Sequence, residues 1–132
     1  MPTPIELVTA FAADFSEGNK GMYGTIRTYF KPDTVWENVG LATTTGVEEA
    51  LALIDQFEQS MGIAAIRIEM LAIAADGNRV LTERIDRMLR ADGTEIWAPR
   101  VMGIFEVDGD RITAWRDYFD SAGAQARLGG GA

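Results

Sequence analysis

The sequence predicts an α+β domain in which one curved antiparallel sheet forms a cone and the N-terminal helices pack on its concave side. Three observations lead there. Apolar residues recur at helical spacing in the first half of the chain, whereas Asp-Gly pairs punctuate the second half at a constant interval. The chain has 132 residues, of which 47% are hydrophobic and 24% charged, enough apolar material for one buried core. Residues 1–132 therefore read as a single cone-shaped domain with its helices segregated to one side of the sheet.

Thr3 is a natural N-cap, Pro4 suits the first helical position, and Glu6 completes a capping box. Val8, Phe11, Ala12 and Phe15 then follow a helical face, and Gly18 reads as the stop. A second short helix runs through Met22, Ile26 and Tyr29 and ends before Pro32. A strand fits Thr34 to Val39. Thr45 with Glu48 forms another capping box and opens a helix whose apolar face is Val47, Ala50, Leu51, Ile54, Phe57 and Met61.

Beyond that helix, Asp76-Gly77, Asp92-Gly93 and Asp108-Gly109 fall 16 residues apart. Glycine accepts the positive φ of a tight hairpin turn, so these three turns separate four strands. The strands run about Ile63 to Ala75, Arg79 to Arg90, Glu95 to Val107 and Arg111 to Asp120. All exceed the usual length of roughly 5 to 6 residues, so the sheet must twist and curl. The four do not resemble one another, and the regular spacing marks a meander rather than a repeat. The tail 121–132, ending in Gly129-Gly130-Gly131, is expected to fray in part.

Twelve basic residues against twenty acidic ones leave a formal charge of -8, which repels phosphate backbones and anionic membrane surfaces. Neither nucleic acid nor membrane is an expected partner. The chain has no His and no Cys, which removes thiolate nucleophiles, imidazole metal sites and Ser-His-Asp chemistry. Acid/base work must fall to carboxylates, Tyr, Lys or Arg, and no metal or cofactor is expected. The N-terminus lacks an export pattern, and no apolar run approaches the roughly 20 residues of a membrane span. A cytoplasmic protein is the expectation.

Side chains alternate across a strand, so the sequence sorts the cup from the exterior. In the last strand one face carries Thr113, Trp115, Asp117 and Phe119, and the other Ile112, Ala114, Arg116 and Tyr118. The two large aromatics favour the first face as the interior, although a solvent-exposed Asp117 is the bland alternative. In the second meander strand Val80, Thr82, Arg84, Asp86 and Met88 share a face. If that face points inward, Arg84 and Asp86 need partners, and Asp117 is the obvious one. The three could equally form a buried structural bridge between strands. In the third, Trp97, Pro99, Val101, Gly103 and Phe105 make the more apolar face. On the early strand Trp36 and Asn38 point the same way, and Asn38 has both a donor and an acceptor with which to orient water, or to serve the turn before Gly40.

Thr82-Glu83-Arg84-Ile85-Asp86, followed about thirty residues later by Trp115-Arg116-Asp117-Tyr118-Phe119-Asp120, resembles the limonene-1,2-epoxide hydrolases. The order of elements resembles the nuclear transport factor 2 fold to which those enzymes belong, a fold that also hosts cyclases, isomerases and binding modules. The resemblance implies that Asp117 activates water, Asp86 is the general acid, Arg84 lies between them and Asn38 holds the water. It also implies a homodimer. At Trp36 the family usually carries a Tyr. An indole only donates, so either Asn38 and Asp117 suffice for the water or Trp36 marks a branch with another substrate or reaction.

The chemistry expected on this basis is addition of water to a small apolar epoxide, giving a vicinal diol. Phe57, Met61, Met88, Pro99, Val101 and Phe119 would form the apolar wall around the substrate. Two rivals remain at the level of sequence. One is an isomerase or cyclase of the same fold with an Asp proton shuttle, to which Tyr23 and Tyr29 could contribute. The other is a non-catalytic ligand-binding or dimerising module in which the three charges are a strut and the cup is filled. A second copy would cover an outer sheet face expected to carry Met102, Ile104, Ile112, Ala114 and Tyr118.

Overall fold

The structure, a computed structural model, describes residues 2–129. The elements are α1 (Pro4–Phe15), α2 (Gly18–Tyr29), β1 (Phe30–Asn38), β2 (Ala42–Thr45), α3 (Gly46–Met61), β3 (Ala65–Asp76), β4 (Arg79–Leu89), β5 (Glu95–Trp97), β6 (Arg100–Asp108), β7 (Arg111–Tyr118) and α4 (Ser121–Gly129). The strands form one sheet in the order β2-β1-β7-β6-β4-β3, with β5 paired to β4. α1 packs its buried face, Leu7, Val8, Phe11, Ala12 and Phe15, into the cup, and α3 adds Leu51, Ile54 and Phe57. Among the described residues no helix is long and apolar enough to cross a membrane.

The capping box of α1 forms as expected: the Glu6 N–H donates to Thr3 Oγ1 at 3.1 Å, and the Thr3 N–H donates to Glu6 Oε1 at 2.9 Å. The stop comes earlier than Gly18, which instead opens α2. Ser16 ends the helix, its N–H reaching the carbonyls of Ala12 and Ala13, while its hydroxyl donates to Ala12 and accepts the Ile68 N–H at 3.0 Å. Thr45 occupies the N-cap position of α3 but gives no side-chain cap. Its N–H donates to Glu49 rather than Glu48, at 2.9 Å, because Gly46 at φ +82 turns the chain from β2 into the helix. Any side chain on Gly46 would meet the Pro32 carbonyl oxygen at 2.6 Å.

The three Asp-Gly turns stand where expected, with Gly77, Gly93 and Gly109 all at positive φ. Four details of the sheet differ from the sequence reading. The strand expected over Glu95 to Val107 breaks into β5 and β6, since Pro99 has no N–H for the ladder, and its carbonyl instead accepts the Asp86 N–H at 3.1 Å. The short β2 adds a strand beside β1. β1 also pairs with β7 in parallel, so one seam of the sheet is parallel and the rest antiparallel. In β7, Thr113 is an extra residue opposite the Glu106–Val107 step, and this bulge turns Ile112 into the core, fully buried, rather than onto the outer face. In the tail, Ser121–Gly129 is helical; residues 130–132 lie outside the described residues.

Trp115 floors the cup. It stacks on Trp36 at 4.7 Å and on Phe105 at 5.2 Å, and Phe11, Phe15 and Phe30 meet it edge-on. Six rings from four elements thus fix the platform above which the polar residues stand.

Candidate active site

Alternation on β4 carries Thr82, Arg84 and Asp86 inward, and all three are buried, Arg84 completely. β6 lies between β4 and β7, with Gly103 opposite both Thr82 and Asp117. A Cβ on Gly103 would overlap Arg84 Nη1 and Asp117 Oδ1. Glycine on the middle strand is therefore what allows a guanidinium from one neighbour to reach a carboxylate on the other.

All five N–H donors of Arg84 are used. Nε donates to Asp86 Oδ1 at 3.1 Å, and Nη2 to Asp86 Oδ2 at 2.8 Å and Asp117 Oδ2 at 2.7 Å. Nη1 donates to Asp117 Oδ1 at 3.0 Å and Thr82 Oγ1 at 3.1 Å, and Thr82 in turn donates to the Gly103 carbonyl. Burial by itself would favour loss of the Arg84 proton, but attraction to Asp117 and Asp86 outweighs it and holds the guanidinium above its ordinary value. The cation is permanent. Asp117 also accepts from Trp115 Nε1 at 2.7 Å, so it receives three donors where Asp86 receives two. Burial raises the Asp117 carboxyl above the usual carboxylate range, with Asp86 adding to the rise and Arg84 and Trp115 opposing it.

Asn38 sits opposite Asp117, and Trp36 opposite Trp115, in the parallel register of β1 and β7. The buried Trp36 Nε1, Asn38 Nδ2 and Thr44 Oγ1 have no protein partner. Asp86, Asp117, Asn38 and Trp36 meet a cavity of ≈ 50 Å³, into which Arg84 does not reach. The rest of the wall includes all six apolar residues expected there, Phe57, Met61, Met88, Pro99, Val101 and Phe119. It also includes Phe15, Leu41, Ile66 and Ala124, which the strand patterns did not single out; only the helical face of α1 pointed toward Phe15.

The space beside Asp117 distinguishes this arrangement from a filled cup. Tyr23 and Tyr29 do not enter it: their hydroxyls donate to Asp55 and Asp14, and each phenol is pushed up to about 12, by the Asp55 hydrogen bond for Tyr23 and by burial first for Tyr29. Among the described residues no group of three or more acidic, His or Cys side chains is placed to hold a metal ion.

This α+β domain sets two carboxylates on one buried guanidinium at the polar end of an apolar cavity. Residues 2–125 match the limonene-1,2-epoxide hydrolase catalytic domain, and the chain belongs to that family. It is 36% identical over 99 residues to the epoxide hydrolase EphG of Mycobacterium tuberculosis; the match covers 74% of this chain and 62% of that protein, less than two thirds of the relative's length. The structure of an M. tuberculosis LEH-like epoxide hydrolase superposes with a TM-score of 0.74 at 32% identity, over 97% of this chain and 90% of that one. A structure described as a SnoaL-like polyketide cyclase from a Jannaschia species reaches the same TM-score at 12% identity, over 95% and 90% of the two chains, a likeness of fold alone.

Proposed function

We propose that this protein adds water to an apolar epoxide in one step, with Asp117 as general base and Asp86 as general acid. The observation that carries the reading is Arg84, which bonds both carboxylates from behind while leaving each of them facing the cavity. Two acids on one guanidinium in a dry site share a single proton and titrate as a pair. The additional Trp115 donor favours the anion on Asp117, the form the proposed base needs. Burial makes Asp117 a stronger base than an ordinary aspartate.

In the step itself, ionised Asp117 takes a proton from water as the water oxygen bonds to an epoxide carbon. The carbon–oxygen bond of the ring breaks, and Asp86 protonates the departing oxygen. The product is a vicinal diol, and the proton gained by Asp117 replaces the one Asp86 has lost, so the pair again holds one. Asn38 and the Trp36 N–H are the groups placed to orient the water, Trp36 as a donor only. The wall of Phe57, Met61, Met88, Pro99, Val101 and Phe119 suits a small apolar epoxide. A second copy on the outer sheet face, where Met102 and Tyr118 are 54% and 49% exposed, completes the reading as a homodimer.

Incubation with limonene oxide, cyclohexene oxide and a long-chain epoxide in ¹⁸O water tests the mechanism. Label is expected in the diol and never in the protein after a single turnover. Label in an Asp86 or Asp117 carboxylate would replace direct attack by a covalent intermediate, and no diol from any epoxide would end the reading.

A further inference from the structure

We propose that α4 is the movable wall of the cavity and that Ala124 limits how bulky a substrate the cavity admits; this rests on the cavity being the epoxide site. Much of the other wall is tied down by sheet hydrogen bonds or by helices with several buried side chains, five on α1 and five on α3. α4 is different. From Ser121 to Arg127 only Ala124 is buried, at 2% exposure, and it lines the cavity.

The other attachments from Asp120 to Arg127 are polar and exposed. Asp120 accepts the Gly123 N–H at 3.0 Å at the start of the helix. Gln125 Nε2 then donates to the Gly40 carbonyl at 2.7 Å, beside the cavity residue Leu41. The Arg127 guanidinium lies 4.3 Å over the ring of Trp97, itself a cavity residue. Two side chains of α4 therefore reach to opposite parts of the cavity wall, one to the β1–β2 turn and one to β5. Water competes for both contacts, so over Ser121 to Arg127 lifting α4 uncovers one buried methyl and loosens two exposed contacts. Substrate enters past α4, and its bulk is measured against the Ala124 methyl when the helix seats.

All three tryptophans of the chain line the cavity, so their fluorescence reports occupancy independently of turnover. Ala124→Leu should shift the kcat/KM ratio of cyclohexene oxide to limonene oxide by about ten-fold or more in favour of the smaller epoxide. Arg127→Gln should speed limonene oxide association, followed by stopped-flow quenching, by about two- to five-fold. If Ala124→Leu fails to fold, Ala124→Val carries the same expected sign, and the exposed Arg127→Gln carries the association test. An unchanged ratio together with an unchanged association rate overturns the proposal. A wild type that binds these epoxides without hydrolysing them ends the hydrolase reading, while the association rates still decide the role of α4. A wild type that does neither overturns both.

Discussion

β1 and β7 carry the same short pattern, an indole two residues before an Asx side chain, and they lie side by side in parallel register, Trp36 against Trp115 and Asn38 against Asp117. The two copies end in opposite conditions. On β7 the indole N–H is bonded to its own strand's carboxylate, and that carboxylate is gripped by Arg84. On β1 the indole N–H and the amide nitrogen are buried without a protein partner, on two residues that line the cavity. The difference lies in the neighbours. β7 has β6, with Gly103, between it and the Arg84 strand, whereas β1 has only the short β2 on its far side. One half of the frame is locked by hydrogen bonds, and the other keeps buried donors without a protein partner.

The largest effect should come from breaking the locked half. Asp117→Asn is expected to cut turnover by about 10²- to 10⁴-fold, and Asp86→Asn by a similar factor, whereas Asn38→Ala should cost less because it orients water without taking a proton. Steady-state kinetics on one epoxide rank the three, and equal losses would erase the distinction between the strands.

Gly103→Ala tests the geometry from a distance. The new methyl overlaps both Arg84 and Asp117, so the bridge must shift, and a loss of stability of about 1–3 kcal/mol is expected with a fall in kcat. Thermal melting and kinetics read the two. Tolerance of the methyl would mean that the guanidinium is not held as tightly as its five bonds imply.

The smallest effect sharpens the comparison most. Because Asp117 must be ionised to act as base and its carboxyl is raised, activity should fall as pH drops through a value above the ordinary aspartate range of about 3.9. Trp115→Phe removes a donor that stabilises the anion, so the acid limb should move to higher pH; Trp36→Phe should leave it in place. A general loss of packing moves neither limb, which makes the pH profile of kcat/KM the deciding measurement.

Much of this site is legible in the sequence, because strand alternation depends only on local stereochemistry. It places Thr82, Arg84 and Asp86 on one face, Trp115 with Asp117, and Trp36 with Asn38, and these faces do point inward. The exceptions are local too: the Thr113 bulge reverses Ile112, and Pro99 splits a strand whose partners could have hidden the break. The helix α4 was not legible at all, since from Ser121 to Arg127 the one buried side chain is an alanine with no periodic company.

The residues of this chain by themselves determined the turns, the period of each strand and the chemical inventory, two carboxylates and an arginine with no imidazole or thiol, because those depend on backbone preferences and side-chain identity. Only the tertiary structure decided that Asp86 and Asp117 share one guanidinium, that β1 joins β7 in parallel and that α4 completes the cavity. Those outcomes depend on which strands meet across a curved sheet, and a contact between positions 84 and 117 is fixed by β6 pairing with both strands and leaving Gly103 between them rather than by anything either segment prefers alone.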